Sequence, residues 1–340
     1  MSERVRLSEV AAHAGVSKAT ASKVLNGRPG VAEETRRLVS EAIAALGYEP
    51  STGPRDAPAP KSMHVVFDTM LNIYAVDVLD GLIKGGAELG VEVVTASLGS
   101  EGPVHEPLTT ARIERIAAKG GAGLVVVTAE LTDAEIEACE RLKLPLVVID
   151  PANPLDERVT SIGATNWAGG VQATRHLLGL GHNRIAFAGG PARSVPARER
   201  LHGYREALES AGIAVDAALV GSGRFGAETG ASFTERLLDL DEPPTAVFAA
   251  SDSIAIGVFR AARRRGLDVP ADLSVIGFDD AHNAAWTEPP LTTVKQPLRQ
   301  MGRAAARTVL DLASGLVPDS HHVQLATTLV IRESTAPPRR

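Results

Sequence analysis

From residue 64 onward the apolar positions gather into short runs: HVVF (64–67), VEVVTA (91–96), GLVVV (123–127), LPLVVI (144–149), RIAFAG (184–189), TAVFAA (245–250) and LSVIGF (273–278). Between the runs, apolar residues recur at helical spacing over about 76–89, 110–118, 167–180, 198–211, 229–240 and 253–265. Buried runs alternating with amphipathic helices predict parallel sheets joined by right-handed crossovers. About 280 residues of this pattern are long for one sheet, which predicts two similar lobes flanking a cleft.

The first fifty residues follow a different pattern. Leu7, Val10, Ala11 and Ala14 share a face of one short helical stretch, Ala21, Val24 and Leu25 of a second, and Leu38, Ala42, Ala45 and Leu46 of a third. Three helices around so small a core predict an all-α unit of marginal stability. It ends where Pro50, Pro54, Pro58 and Pro60 forbid regular helix. The expected organisation is a helical domain at 1–50, a Pro-rich linker at 51–62 and an α/β region at 63–340.

Composition sharpens this picture. With 44% hydrophobic and 22% charged residues among 340, the chain buries sizeable cores and is neither disordered nor fibrous. Aromatics at 4% against 32 glycines and 21 prolines suit many short α/β connections better than an aromatic-rich sandwich. The single cysteine, Cys139, excludes a disulfide framework and any multi-cysteine metal cluster and points to a reducing, cytoplasmic setting. No apolar stretch approaches membrane-spanning length and the start lacks a secretory core, so no membrane partner is expected. The net charge is −6, yet the first thirty residues hold Arg4, Arg6, Lys18, Lys23 and Arg28 against only Glu3 and Glu9. Only that end reads as a polyanion binder.

Acidic residues recur where the apolar runs stop: Asp68, Asp150, Asp252 and the pair Asp279-Asp280. Open α/β folds bind ligands at the carboxyl ends of their strands. Asp252 serves equally well as a helix cap, whereas Asp150, followed at once by Pro151, and Asp279, with no helix immediately after it, point to a ligand. Other signals carry less. Residues 221–226 spell G-x-G-x-x-G but follow only the short run AALV, so dinucleotide binding is not expected. Adjacent His321 and His322 face opposite ways on a strand and disfavour a shared metal, and Arg263, Arg264 and Arg265 read as a solvated helix end. No nucleophile–base pair, metal cluster or phosphate loop stands in motif context, so neither enzymatic activity nor a cofactor is expected.

Between the first two helical stretches stands Ala11-Ala12-His13-Ala14-Gly15-Val16-Ser17. Gly15 suits the left-handed end of a helix, Ala11 is small enough for a close crossing, and the Ser17 hydroxyl suits the cap of the next helix. These are the mechanics of a helix-turn-helix, whose second helix enters the major groove. Ser17, Lys18, Ala19, Thr20, Ser22, Lys23 and Asn26 would then face DNA, with Lys23 able to donate to guanine and the hydroxyl and amide groups suited to phosphates or bases. A plain two-helix corner with a solvated polar face fits the same residues.

Residues 5–50 closely resemble the headpiece of the lactose-repressor (LacI/GalR) family of bacterial transcription regulators. The resemblance extends through GATNWAGGVQATRHLLGLGHNRIAFAGGP (163–191), RERLHGYREALESAGI (198–213), PTAVFAASDSIAIGV (244–258), LDVPADLSVIGFDD (267–280) and PPLTTVKQPLRQMG (289–302). It implies a two-lobed, periplasmic-binding-protein-like α/β core behind a helix-turn-helix headpiece, a homodimer on a pseudo-palindromic operator, and a small-molecule effector in the cleft. It implies that Lys18, Ala19 and Lys23 read bases; the family usually carries Arg at the position of Lys23, and Lys grips guanine less rigidly. Its effector positions fall on Asp150, Arg198, Phe225, Ser251, Asp279, Trp286 or its neighbour Thr287, and Gln296, with Asn72 and Tyr74 placed as cleft lining. Carboxylates, a guanidinium and flat apolar faces together suit a sugar, and the aromatics also suit a nucleobase. Arg198 pairing with Glu199, and Phe225 and Trp286 as plain core, are the alternatives. One departure stands out: after Gly47–Pro50 the family's hinge leucine is missing from Ser51-Thr52-Gly53-Pro54-Arg55-Asp56-Ala57-Pro58, which predicts weaker operator kinking. The competing functional expectation is a sugar- or nucleoside-binding module without a DNA-regulatory role.

Overall fold

A computed structural model of the chain describes residues 7–25, 31–46, 62–99, 107–316 and 318–339. It divides into two compact units, Met1–Pro60 and Lys61–Arg340.

The first unit holds α1 (Leu7–His13), α2 (Lys18–Leu25) and α3 (Glu33–Leu46). Its core is Val10, Ala11, Ala21, Val39 and Ala42, with Leu7, Ala14, Val16, Val24, Ile43 and Leu46 packed against them. The α3 stripe therefore runs through Val39, Ala42, Ile43 and Leu46. Leu38 and Ala45, expected on that face, are exposed. Val39 and Ile43 together offer more apolar surface than Leu38 and Ala45, and burial follows the pair.

The second unit alternates strand and helix. In chain order it runs β1 (Ser62–Phe67), α4 (Ile73–Glu88), β2 (Glu92–Ser97), α5 (Thr110–Ala118), β3 (Gly123–Val127), α6 (Asp133–Arg141), β4 (Leu146–Ile149) and β5 (Thr160–Ala164). A second series follows: α7 (Asn166–Gly179), β6 (Ile185–Ala188), α8 (Val195–Ser210), β7 (Val220–Gly221), α9 (Ala227–Leu238), β8 (Ala246–Ala249), α10 (Asp252–Arg264), β9 (Ser274–Asp279) and β10 (Thr292–Lys295). The chain ends with α11 (Leu298–Ala313), β11 (His322–Leu325) and β12 (Thr328–Val330). Ser62, assigned to the linker from composition, opens β1.

Two six-stranded sheets result, ordered β11-β5-β4-β3-β1-β2 and β12-β10-β9-β8-β6-β7. Both repeat the same doubly wound core order, and only the β12–β10 pair is antiparallel. The chain passes from one sheet to the other three times, after β5, after β10 and after β11. At two of these passages Thr165 and Thr327 tie the strands together through their hydroxyls at 3.0 Å, while the Thr165 N–H donates to Leu325 O at 2.9 Å.

The cores lie on the faces of the sheets. In the first lobe α4 and α11 cover one face over Met63, Val65, Phe67, Val125 and Ile149, while α5 and α6 cover the other over Val66, Leu124, Val126 and Val148. The second lobe packs around Phe187, Tyr204, Phe248 and Phe278. Helices α7 and α8 touch at bare backbone: a Cβ on Gly170 would lie 2.5 Å from the carbonyl oxygen of Arg200. That contact fixes the rotation of α8 and so the direction in which Arg200 points. Arg263, Arg264 and Arg265 end α10 exposed, and Arg265 also donates to Glu235 of α9 and to Asp239 just past it at 2.7 Å each.

Candidate functional site

In the first unit the turn is built as its residues demand. Gly15 holds φ +66°, Val16 N–H returns to Ala11 O at 2.9 Å, and the Ser17 hydroxyl accepts from Thr20 N–H at 3.1 Å. Buried Ala11 and Ala21 let α1 and α2 cross closely. Opposite that core, Ser17, Lys18, Ala19 and Lys23 are exposed, with Thr20 and Ser22 half-buried. Asn26, the side chain of Leu25 and the linker 51–61 lie outside the described residues.

In the second unit the carboxyl ends of the two sheets face each other across a cavity of about 640 Å³. On one wall lie Asp68 and Thr69 after β1, Asn72 and Tyr74 at the start of α4, and Asp150 after β4. On the other lie Arg200 from α8, Phe225 ahead of α9, Ser251 and Asp252 after β8, and Asp279 closing β9. Asn72 and Ser251 also cap α4 and α10, accepting from Ala75 N–H at 2.9 Å and Ile254 N–H at 3.2 Å. Capping engages their oxygens as acceptors and leaves the Asn72 amide and the Ser251 hydroxyl proton available to donate.

The centre is a set of buried charges. Asp150, 3% exposed, accepts at Oδ2 from the Tyr74 hydroxyl at 2.6 Å. Asp279 accepts at Oδ1 from Gln296 Nε2 at 2.7 Å and lies 3.6 Å from Arg200 Nη1. Arg200 is itself fixed by Asn166 Oδ1 at 2.8 Å, by Ala250 O at 2.6 Å and by the Phe278 ring, 3.9 Å from its guanidinium carbon. Burial raises the pKa of Asp150 above the usual carboxylate range, against the pull of Tyr74 and Arg200. Burial likewise pushes Asp279 up to about 6, with Arg200 and Gln296 opposing. The Tyr74 hydroxyl is held well above its ordinary value, first by burial and then by the Asp150 charge beside it. Asp150 and Asp279 both take left-handed backbone, at φ +45° and +119°, and Thr128 after β3 does so at +53°. Non-glycine residues in this region carry strain that tends to collect at functional sites.

Three residues expected in the cleft are not brought to it. Arg198 is exposed and outside the cavity, whose lining holds Arg193, Arg200 and Arg224, and of these three Arg200 is the one that is buried. Successive helical residues turn by about 100°, so Arg198 and Arg200 face nearly opposite ways; Arg200 shares the buried stripe of Gly203, Tyr204 and Ala207. Trp286 sits on a 3-10 turn, His282–Trp286, and is 76% exposed, while neighbouring Thr287 ties that turn to Ala284 O and Pro289 O. Gln296 is buried behind Asp279 and supports the carboxylate from outside the cavity lining. Ser251 is the cap of α10, whereas Asp252 holds the loop after β9 through Ala281 N–H at 2.9 Å and accepts from the Thr293 hydroxyl at 2.6 Å. Among the described residues no group of three His, Cys, Asp or Glu is placed to hold a metal, and no helix is long and apolar enough to cross a membrane.

Comparison with known proteins agrees with both halves. The model described as bacterial regulatory proteins, lacI family, matches residues 6–51, and a periplasmic binding protein-like domain matches residues 174–335. The chain is 35% identical to the HTH-type transcriptional regulator MalR of Streptomyces coelicolor, over 97% of this chain and 96% of MalR. Among solved structures, a transcriptional regulator CelR–cellobiose complex superposes with a TM-score of 0.73 at 32% identity, covering 97% of this chain and all of the other. The lac repressor dimer bound to operator and the anti-inducer ONPF superposes with a TM-score of 0.77 at 28% identity, covering 98% and 100%.

Proposed function

The chain belongs to the LacI family of DNA-binding transcriptional regulators, and from that premise we propose that it is a homodimeric repressor whose grip on its operator is set by a neutral sugar held between the two lobes. The headpiece at 1–50 reads DNA, residues 51–61 link it to the core, and residues 62–340 bind effector and partner. The exposed face of α2 enters the major groove: Lys23 donates to a guanine edge, the Ala19 methyl meets a thymine methyl, and Ser17, Lys18, Thr20, Ser22 and Asn26 hold phosphates or bases. Two such helices on a twofold axis read a pseudo-palindrome.

The observation that carries the sugar reading is the buried set Asp150, Asp279 and Arg200 in one cavity. Carboxylates accept from vicinal hydroxyls and the guanidinium donates back, while Phe225 offers an apolar face to ring C–H groups. Trp286 lies outside the cavity lining, which leaves Tyr74 and Phe225 as its aromatics, so the buried charges rather than an aromatic sandwich carry the sugar reading. Effector and operator then shift each other's affinity by the same factor, since both act on one equilibrium between lobe arrangements. A thermal-shift screen against sugars, sugar phosphates and nucleosides, with each hit carried into titration of an operator selected from random duplexes, tests the reading. Neutral sugars should raise the melting temperature and change operator affinity; hits confined to nucleosides would overturn it.

A further inference from the structure

The cavity is long in one direction. In the first sheet its lining is supplied by four adjacent strands: Asp150 follows β4, Thr128 follows β3, Asp68 follows β1 and Leu98 follows β2. The facing sheet does the same, with Asp279 on β9, Ser251 after β8, Pro191 after β6 and Arg224 after β7. Strands lie about 4.8 Å apart, so three steps span about 14 Å along each wall. A pyranose, built from bonds of about 1.5 Å, measures only about 5 Å across its ring and hydroxyls. One ring therefore occupies a fraction of this slot.

The two ends differ chemically. The buried charges Asp150, Arg200 and Asp279 cluster toward β4 and β9. Toward β2 an apolar floor lies among charged groups: Leu98 and Leu108, each 5% exposed, pack in one core cluster beneath the cavity, while Asp68 and Arg224, at the ends of β1 and β7, line it as well. Thr128 stands between the ends, a β-branched residue held at φ +53° where glycine would be easier, with its N–H tied to Ile149 O at 3.0 Å. Over the whole lining the six carboxyl groups of Asp68, Glu130, Glu135, Asp150, Asp252 and Asp279 outnumber Arg193, Arg200 and Arg224, which disfavours a phosphorylated ligand.

From this geometry we infer that the effector is a neutral oligosaccharide of at least two rings, one held by Asp150, Arg200 and Asp279 and the next lying past Thr128 over Leu98 and Leu108. The inference rests on the sugar reading of the cavity and adds the length of the ligand and an outer subsite with Thr128 at its entrance. Inner hydroxyls meet buried acceptors and a donor, whereas the outer ring rests its C–H face on Leu98 and Leu108 among solvated polar groups, so the inner unit confers orientation and the outer unit adds affinity.

Isothermal titration of the full chain with gluco-, galacto-, manno- and xylo-configured disaccharides and trisaccharides, and with the monosaccharides that compose them, is the test. At least one oligosaccharide should bind tenfold or more tighter than each of its own units. Thr128→Gly, which accepts the backbone conformation while deleting the side chain, should weaken that oligosaccharide threefold or more beyond any change in the monosaccharides. A monosaccharide that binds as tightly as any oligosaccharide containing it would overturn the inference while the sugar reading stands. Equal loss of short and long sugars in Thr128→Gly would overturn the outer subsite. Binding of nucleosides with no sugar of any length would overturn the sugar reading itself.

Discussion

The sharpest consequence of the structure concerns Arg198 and Arg200, two positions apart on α8. Arg200→Met keeps the length of the side chain and removes its charge. It breaks the bonds to Asn166 and Ala250, the 3.6 Å approach to Asp279 and the stacking on Phe278. Removing one partner of a buried charge pair costs about 3–5 kcal/mol, because the remaining carboxylate stays buried without compensation. At about 2–4 °C per kcal/mol for a body of this size, the melting temperature should fall by roughly 6–20 °C. Arg198→Ala, on an exposed position, should stay within about 0.5 kcal/mol of the parent. Adding Asp279→Asn to Arg200→Met should recover part of the loss, since the two residues share one network. Differential scanning calorimetry gives the stabilities, and titration of operator complexes with the sugar found by screening gives the response. Loss of effector response in Arg198→Ala, with Arg200→Met melting like the parent, would refute the assignment.

Two further outcomes follow from the same sites. Lys23→Ala should weaken binding to the selected operator, with sugar affinity unchanged, and an unaltered operator complex would remove α2 from the groove. Acidity should act with opposite signs on binding and on stability. Asp279 titrates at about 6 in the fold against about 3.9 in the unfolded chain, so its stabilising contribution is complete below about pH 4 and is lost as pH rises through 6. Sugar affinity should run the other way, steady above about pH 7 and falling as pH drops through 6, because only the ionised carboxylate accepts from two hydroxyls at once; Asp279→Asn should flatten the affinity profile, and an unchanged slope in that variant would assign the titration elsewhere.

What the chain discloses about its fold depends on how local each element is. Buried runs such as GLVVV and helices such as Thr110–Ala118 appear where periodicity places them, because each is specified within a few residues. Besides α6 and β7, the elements that periodicity did not pick out are ones that close the two lobes. Strand β5 reads TSIGA with alternating burial, β10 is four residues beside a proline pair, and β11 is largely exposed. Helix α11 follows the last strand of the second parallel series yet packs beside α4 in the first lobe. Such placements are decided by contacts hundreds of residues away, which no window along the chain contains.

The site shows the same division more finely. Asp150 and Asp279 were legible because the end of a buried strand is a definite place, and an acid there with no helix to cap has few other uses. Arg198 and Arg200 differ by two positions on one helix, and resemblance to a family does not resolve a shift that small. Helix phase does: Ala197, Arg200, Gly203, Tyr204 and Ala207 form the buried stripe, and the small and aromatic residues at those spacings already mark it in PARERLHGYREA. Thr128 offers no comparable signal. A threonine after GLVVV looks like an ordinary turn residue, and only its left-handed backbone and its place beside the cavity set it apart. Residues whose role is chemical leave a trace in the pattern of types; those whose role comes from being forced into an unusual conformation leave one only in the geometry.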